Sequence, residues 1–378
     1  MEQQREFVNH ILPLMRLDQL ILRHGKLYPE MEKLRKQLND SLNKFDKYEG
    51  NNKFWYFIRK MNLYDELRYN VIYLYGAQKV SKGWLKCYEI LQEYHNYFFC
   101  GKMIKIFCNA ELPGGFLLAI NHFLCSYFPD IKKHFYLSSW LDPKGLPDQY
   151  GIAEHNPDIF LPNLIKMKDA GDTTNIAWIR AVRKLIAPIH LYTSDAGIDV
   201  SENYNSQEEL TQHLNYGQIL CGLATLTPGG CMVTKQYTVF TPFSVSLLAL
   251  LASIFERVIL CKPRDNMCVN CEIYVISLNY LGISDELLEQ LYDVKPEPTL
   301  ELVTVPPLFY TSILQFETQY VKNQTDCIEE LIATWKKQEH NLEEFYLSIK
   351  PSADAAMAEW LEYNPVEKIP DACKLATN

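Results

Sequence analysis

Short apolar runs alternate with helix-like runs through the middle of the chain, from about residue 78 to residue 285. Short runs bounded by turn residues predict strands, and apolar residues at helical spacing predict helices. The predicted strands are 104–108, 135–138, 189–194, 231–237, 258–261 and 273–278. The predicted helices are 84–94, 116–127, 176–186, 207–225 and 243–255. Regular alternation of this kind predicts an α/β fold, with a parallel sheet that is covered by helices on both faces.

The segment between the last two predicted strands, residues 262–272, has no helical pattern. A connection without a helix joins neighbouring strands that run in opposite directions. We therefore expect a mostly parallel sheet that ends in one antiparallel strand.

Helical patterns flank this core on both sides. Apolar residues predict helices in segments 12–22 and 31–45, and again from 311 to 349, after a proline-rich break. We expect the tail after Pro351 to be partly loose. The predicted division is an N-terminal helical segment 1–77, a core 78–285 and a C-terminal helical extension 286–378.

The chain is acidic overall, with a net charge of −9 and a pI of about 5.6. Nucleic-acid-binding proteins are often basic, so an RNA contact here requires a local basic patch. For each single patch, a solvated surface is the simpler interpretation. No apolar run reaches the ~18 residues of a membrane span, and we expect a cytoplasmic protein without membrane contact. The candidate patches are residues 23–26, Lys102 with Lys105, residues 132–134, and Lys262 with Arg264.

The most informative single stretch runs from a predicted strand, through the turn Glu111-Leu-Pro-Gly-Gly-Phe116, into an apolar helix. Gly114 and Gly115 lack a Cβ, so the backbone can approach a ligand closely. The first N–H groups of the next helix would point back at that ligand. In open α/β sheets, ligands bind at the carboxyl ends of the strands. The alternative is an ordinary Pro-Gly turn between a strand and a helix.

Four charged residues stand out by their surroundings. Asp195 follows a predicted strand and precedes Gly197, which suits an active-site carboxylate but also a turn or helix cap. Lys235 lies in an apolar strand, and buried lysines need partners. Glu272 opens the last predicted strand, where it is either an edge charge or a cleft residue. Lys86 lies in a helix that Ser81 can cap, and a surface ion pair with Glu89 is the alternative.

Taken together and in this order, these pieces resemble the FtsJ-like family of ribose 2′-O-methyltransferases. They are most similar to the mRNA cap branch of eukaryotes and large cytoplasmic DNA viruses. The family's turn resembles residues 111–116, and its Thr-Pro-Phe-Ser segment resembles residues 241–244. Residues 171–174 resemble the segment that contacts the adenosine part of the cofactor. The loop residues 265–267 and the turn 195–197 depart from the family pattern. The resemblance covers about residues 78 to 280.

The resemblance implies a Rossmann-like methyltransferase core and S-adenosyl-L-methionine as cofactor, with no metal. The implied catalytic tetrad is Lys86, Asp195, Lys235 and Glu272. Lys235 is the implied general base, or the charge that stabilises the developing alkoxide, and Asp195 orients it. The implied cofactor-binding residues are Ala110, Leu112, Pro113, Gly114, Gly115, Phe116, Asp172 and Asp195.

The implied substrate is capped RNA, methylated on the ribose of a nucleotide next to the cap. The flanking helical segments are candidate docking surfaces for a protein partner. A viral protein of this kind is expected at a cytoplasmic replication site or in the virion. Two other interpretations stay open, namely an rRNA 2′-O-methyltransferase on the same scaffold and a non-catalytic cap-binding or structural virion subunit.

Overall fold

The computed structural model describes residues 7–17, 19–140, 148–200, 203–265 and 269–376. The strands are β1 Val8–Ile11, β2 Arg23–His24, β3 Met103–Asn109, β4 Lys132–Leu137, β5 Ile189–Ser194, β6 Leu226–Gln236, β7 Phe255–Lys262, β8 Ile273–Tyr280 and β9 Leu300–Glu301. The helices are α1 Pro29–Leu42, α2 Asn52–Lys60, α3 Leu67–Tyr75, α4 Lys82–Phe98, α5 Gly115–Tyr127, α6 Ile152–His155, α7 Leu161–Leu164, α8 Ile176–Ile186, α9 Gln207–Thr225, α10 Pro242–Ile254, α11 Asp285–Tyr292, α12 Pro307–Gln338 and α13 Leu342–Tyr363.

Seven strands form one sheet in the order β1-β7-β8-β6-β5-β3-β4. Strands β4, β3, β5 and β6 pair in parallel, and β8 pairs antiparallel with both β6 and β7. The predicted α/β fold and its antiparallel strand β8 are therefore confirmed. The chain turns from one side of β3 to the other between β4 and β5, which makes the crevice between β3 and β5 the expected ligand site.

Helices cover both faces of the sheet, and the side chains of each strand alternate between the two faces. In β8, Ile273 and Val275 pack in the apolar cluster of α8, α9 and α10. Their neighbours Tyr274 and Ile276 pack in the cluster of α4 and α5. Because every second residue of a strand points to the same face, an almost continuously apolar strand is what a doubly covered sheet requires.

The prediction of a helix over residues 12–22 was wrong. Its described residues, 12–17 and 19–22, contain no helix, and backbone bonds leave the segment: Leu12 donates to the carbonyl of Val258 over 2.9 Å, and Ile21 donates to that of Leu302 over 2.9 Å. Pro13 lies inside the segment, and proline disfavours a helix interior. Just before it, β1 pairs antiparallel with β7 and so adds a second antiparallel strand to the sheet. The division at residues 77 and 285 stays a prediction.

The expectation of a loose tail after Pro351 was also wrong. The helix α13 continues through Pro351 to Tyr363, and Trp360 is fully buried. The following residues cross the outer surface of α4 and α5. There the carbonyl of Pro365 accepts from the Tyr88 hydroxyl over 2.9 Å, and the carbonyl of Cys373 accepts from the Asn121 amide over 2.7 Å. Within the described residues, no helix combines the length and the apolar character needed to cross a membrane.

Candidate active site

A cleft of about 840 Å³ opens at the carboxyl ends of β3, β5 and β6. This is the edge of the sheet at which α/β proteins bind ligands. The turn after β3 forms one wall of the cleft, and residues 195–199 after β5 form another. The predicted residues that line it are Ala110, Leu112, Pro113, Gly115, Phe116, Asp172, Asp195 and Lys235, and Trp140 adds an aromatic side chain.

The turn after β3 has the backbone that its sequence predicts. Gly114 has φ +115°, a conformation that residues with a Cβ rarely adopt. A Cβ at Gly115 would stand 2.8 Å from the hydroxyl of Ser81, so only glycine lets α5 approach the start of α4 this closely. Ser81 caps α4 by accepting the N–H of Trp84 over 3.1 Å, as predicted. The close packing of this turn against the start of α4 fixes where Lys86 enters the site.

The start of α5 is occupied differently from the prediction. The carboxylate of Glu111 accepts the N–H of Leu117 over 2.8 Å, so this helix N–H points at the protein's own glutamate and away from a ligand. Glu111 is fully buried, and burial is the main cause that raises its pKa to about 8. The Leu117 N–H opposes this shift, and the negative charge of Asp195 adds to it. Glu111 is therefore a neutral internal cap of α5 near pH 7.

The four predicted catalytic residues come together beside the cleft, with Asp195 and Lys235 on its lining and Lys86 and Glu272 buried next to them. The ammonium of Lys86 donates to Glu272 in a buried ion pair. The ammonium of Lys235 lies 3.3 Å from Oδ1 of Asp195 and 4.0 Å from Oε2 of Glu272. It also donates to the backbone carbonyl of Asp195 over 3.0 Å. Residues separated by up to 186 positions in the chain thus form one alternating row of two cations and two anions.

Mutual pairing decides the charge of this cluster. Burial favours the neutral form of Lys235, but the carboxylates of Asp195 and Glu272 outweigh it and raise the pKa of Lys235 above its ordinary value. Burial also opposes the charge of Glu272, but Lys86 and Lys235 lower its pKa to about 2. Without a ligand, Lys235 and Glu272 are therefore both charged at neutral pH.

Tyr274 is a member of this cluster that the sequence reasoning missed. Its buried hydroxyl lies 3.0 Å from Oδ1 of Asp195 and 3.1 Å from Oε1 of Glu272. Burial and the two carboxylates raise its pKa well above the ordinary value, so it stays a donor. The hydroxyl has one proton, so it can donate to Asp195 or to Glu272 but not to both at once. The sequence signal for Tyr274 was its position two residues after Glu272, because alternate residues of an extended segment point to the same side.

Glu89 is not the surface partner of Lys86 that was considered as the alternative. It is buried, and its carboxylate accepts the backbone N–H of Arg264 over 2.8 Å and the indole N–H of Trp360. Burial raises its pKa to about 7, while Arg264 and Trp360 counteract the shift. Glu89 thus links the helix of Lys86 to the β7–β8 loop and to α13.

Asp172 lies on the cleft wall and makes local bonds. Its Oδ1 accepts the N–H and the hydroxyl of Thr174, each over 2.8 Å. The preceding Gly171 has φ +91°, and a Cβ there would overlap the backbone carbonyl of Ser139. The segment 171–174 is therefore held tightly against the segment that follows β4.

The basic patches differ in their distance from the cleft. Lys102, Lys105 and residues 132–134 lie at the amino ends of β3 and β4, on the edge of the sheet opposite the cleft. Arg23 pairs with Glu301 over 2.8 Å. Lys262 ends β7 and Arg264 follows it at the same edge as the cleft, although Lys262 donates to the carbonyl of Asn270 over 2.9 Å.

The described residues hold no group of three or more histidine, cysteine or acidic side chains with a metal-binding arrangement. Cys271 is a buried free cysteine, and Cys268, three residues before it in the sequence, lies outside the described residues.

Comparison with known proteins gives an independent view of the chain. "Probable methyltransferase EP424R" of African swine fever virus (isolate Pig/Kenya/KEN-50/1950) is 36% identical over 301 residues, covering 74% of this chain and 69% of that protein. "Uncharacterized protein L511" of Acanthamoeba polyphaga mimivirus is 31% identical over 284 residues, covering 72% of this chain and 36% of that protein. "Cap-specific mRNA (nucleoside-2'-O-)-methyltransferase 2" of Drosophila melanogaster is 29% identical over 349 residues, covering 86% of this chain and 49% of that protein. The family model of FtsJ-like methyltransferases matches residues 79–280. The chain therefore belongs to the FtsJ-like methyltransferase family, as its motifs predicted.

Proposed function

We propose that this protein is an S-adenosyl-L-methionine-dependent mRNA cap ribose 2′-O-methyltransferase. One observation carries the proposal: Lys86, Glu272, Lys235 and Asp195 form a continuous charged row at the end of a cleft built by the glycine turn. The similarity to a cap-specific methyltransferase of Drosophila melanogaster and to viral relatives supports capped RNA as the substrate.

The cleft suits the proposed cofactor. Its volume of about 840 Å³ lies within the usual range for ligand sites of roughly 300–1,000 Å³. Asp195 offers a negative charge to a sulfonium, Asp172 offers acceptors to ribose hydroxyls, and Trp140 offers a stacking surface. S-adenosyl-L-methionine supplies a methyl group that is already activated. The backbone around Ala110, Leu112, Pro113, Gly114, Gly115 and Phe116 would hold its methionine part.

The chain's own residues would position the ribose oxygen and manage its proton. In the proposed reaction a C–O bond would form at the 2′-oxygen as the methyl group leaves its sulfur, and the hydroxyl proton would be released. Lys235 lies where it can receive that proton, or hold its own while the oxygen gains negative charge. These two descriptions contain the same number of protons, because a neutral amine with a hydroxyl and an ammonium with an alkoxide differ only in where one proton sits.

Asp195, Glu272 and Lys86 would set the position and charge of Lys235. Asp195 holds it by two contacts, and Glu272 is shared between Lys86 and Lys235. A cation bound beside Asp195 would weaken the attraction of that carboxylate for Lys235 and so lower the pKa of Lys235. The cluster would thus become ready for proton transfer when the methyl donor is bound.

The RNA would be held by cations near this edge of the sheet, with Lys262 and Arg264 as the nearest candidates. Since the chain is acidic overall, we expect weak binding of RNA that lacks a cap and a strong dependence on salt. The relation to viral proteins supports a cytoplasmic place of action at a viral replication site or in a virion. The helical segments around the core are candidate surfaces for a protein partner.

The test is methyl transfer from labelled S-adenosyl-L-methionine to matched capped and uncapped RNAs, with the product nucleotide identified by mass spectrometry. We expect a 2′-O-methyl group on the first or second transcribed nucleotide, only when the cap is present. Methylation within structured RNA would instead support an rRNA methyltransferase. Cofactor binding without transfer to any RNA would refute the proposal and favour a non-catalytic cap-binding role.

A further inference from the structure

The helix α12 presents a buried polar stripe that the proposed mechanism does not use. Glu317, Tyr320 and Gln324 are three and four positions apart, so they lie on one side of the helix. Their exposed fractions are only 0%, 6% and 2%. Buried polar side chains are costly unless they are hydrogen-bonded. The hydrogen-bond partners of this stripe therefore indicate which segments of the chain it holds. We call these three residues the α12 clasp.

The first end of the clasp holds the segment that follows Lys235. The carboxylate of Glu317 accepts the backbone N–H of Val239 over 2.9 Å. Glu208 from α9 accepts the next two N–H groups, those of Phe240 and Thr241, over 2.9 Å each. Two buried carboxyl groups thus fix the chain four to six residues beyond Lys235. Burial and the nearby Glu208 raise the pKa of Glu317 to about 8, against the effect of the Val239 N–H, so Glu317 is neutral at pH 7.

The second end of the clasp holds the segment that precedes Glu272. The amide of Gln324 donates to the carbonyl of Asn270 over 3.1 Å, and the ammonium of Lys262 donates to the same carbonyl over 2.9 Å. The side chain of Asn270 in turn accepts the backbone N–H of Glu272 over 3.0 Å. Tyr320 supports this end, because its ring lies 4.9 Å from the Lys262 ammonium and its hydroxyl lies 3.3 Å from the Gln324 amide.

One stripe of α12 therefore contacts the two backbone segments that carry Lys235 and Glu272. Lys235 lies on β6, and Glu272 directly precedes β8, the neighbouring antiparallel strand in which Tyr274 pairs with Lys235. Their ammonium and carboxylate are 4.0 Å apart. A change of about 1 Å in such a distance is enough to alter a catalytic arrangement.

We propose that the α12 clasp positions the active site. Glu317 fixes the chain after Lys235 through Val239, and Gln324 fixes the chain before Glu272 through Asn270. This inference rests on the proposed function for its effect on catalysis. None of the three side chains touches the cleft, so they are positioning residues that act through Val239 and Asn270. A purely structural role would lower stability without changing the electrostatic environment of Lys235.

The test uses Gln324→Met, which keeps the length of the side chain and removes its hydrogen-bond donor. Gln319→Met is the matched control, because it makes the same change on the exposed side of the same helix. The first readout needs neither cofactor nor RNA. The reactivity of Lys235 toward reductive methylation is measured against pH by peptide mass spectrometry in both variants and in the unchanged protein.

We expect Gln324→Met to lower the pKa of Lys235, because Glu272 is one of the charges that raise it. A fall of one pKa unit raises the reactive neutral fraction about tenfold at a given pH below the pKa. The second readout is methyl transfer. There we expect kcat to fall about tenfold to a hundredfold, with an unchanged KM for S-adenosyl-L-methionine. Gln319→Met should match the unchanged protein in both readouts.

Glu317 provides the second comparison. Glu317→Gln keeps an acceptor for Val239 and should retain the wild-type reactivity and rate, while Glu317→Leu removes the acceptor and should shift the pH profile of Lys235 reactivity and lower the rate. Should Gln324→Met fail to fold, Gln324→Asn shortens the donor and replaces it in the comparison. If the Gln324 variant and Glu317→Leu both fold but leave the reactivity of Lys235 unchanged, the proposed role of the clasp is wrong. Absence of methyl transfer by the unchanged protein on every RNA would instead refute the proposed function, and the labelling result would still decide the clasp.

Discussion

The ammonium of Lys235 lies 3.3 Å from the carboxylate of Asp195 and donates a 3.0 Å hydrogen bond to the backbone carbonyl of the same residue. The lysine is thus attached to the loop after β5 at two points. These two contacts restrict the position of its amine on the lining of the cleft. That restriction is what a proton-handling group beside a ribose oxygen requires.

Replacement of Lys235 by alanine is expected to abolish methyl transfer almost completely. Loss of a positioned acid–base group costs about 10²–10⁴-fold in rate, and Lys235 is the only member of the tetrad that contacts both carboxylates. Cofactor affinity, measured by calorimetry, should stay nearly unchanged because the glycine turn is untouched. Lys322→Ala, on an exposed face of α12, is the control. Near-normal turnover in Lys235→Ala would exclude this residue from the chemistry.

The rate of the chemical step is expected to rise with pH. Lys235 has a raised pKa and is charged in the resting site, whereas the reacting state of Lys235 and the ribose hydroxyl contains one proton fewer. Below the pKa, the fraction of that state grows tenfold per pH unit. Single-turnover rates at pH 6, 7, 8 and 9 with saturating substrates should therefore follow a slope near one on a logarithmic plot. A flat profile would show that no proton is lost before the methyl transfer step.

The buried pair of Lys86 and Glu272 is expected to matter for stability as well as for rate. Removing one partner of a buried ion pair typically costs about 3–5 kcal/mol, so Glu272→Gln should lower the free energy of unfolding by that order in urea titrations. The double change Lys86→Met with Glu272→Gln should cost less than the sum of its parts. Lys350→Met, which breaks an exposed pair with Asp354, is the control and should have little effect.

The same pair predicts the response of the fold to acid. The pKa of Glu272 is about 2 in the folded protein and 4.5 as its ordinary value. A lowered carboxyl pKa stabilises the fold fully above pH 4.5, and this contribution is lost as the pH falls toward 2. The free energies of unfolding of the unchanged protein and of Glu272→Gln should therefore differ less at pH 3.5 than at pH 7. A constant difference would mean that Glu272 is not the group that titrates.

Gly171 and Gly101 form a matched pair for testing the wall of the cleft. Both have strongly positive φ, +91° and +93°, but a Cβ at Gly171 would overlap the Ser139 carbonyl, while nothing lies within 4 Å of one at Gly101. Gly101→Ala should cost only the backbone strain of about 1–2 kcal/mol. Gly171→Ala should cost more and should also weaken cofactor binding, because Asp172 must shift. Equal losses of stability and affinity in the two variants would show that the Ser139 contact does not matter.

The core of the fold and the charged tetrad were accessible from the sequence because both rest on local signals. Strand β5 and helices α8 and α9 have the predicted bounds. Asp195 follows β5, Lys235 lies at the end of β6, Glu272 precedes β8 and Lys86 lies near the start of α4, so the four residues meet at one edge of the sheet. Their catalytic roles stay a prediction.

The remaining features depend on contacts between distant segments, which have no local signature. The non-helical course of the described residues between 12 and 22 rests on backbone bonds to Val258 and Leu302. Pro13 is the local signal against a helix there. The role of Glu111 as an internal cap of α5 could not be predicted, because it depends on how closely the turn after β3 folds back onto the helix. The buried state of Glu89 depends on Trp360, which is 271 positions away.

The bond between Glu89 and Trp360 also bears on how the protein is made. Lys86 and the glycine turn are synthesised long before Trp360. The buried carboxylate of Glu89, one turn after Lys86, has its indole partner only in α13. Until that helix is synthesised, Glu89 has water instead of an indole N–H, and α4 lacks the cover that fixes its tilt. During translation the methyltransferase core is therefore expected to stay incomplete, and to gain its final geometry in one late step.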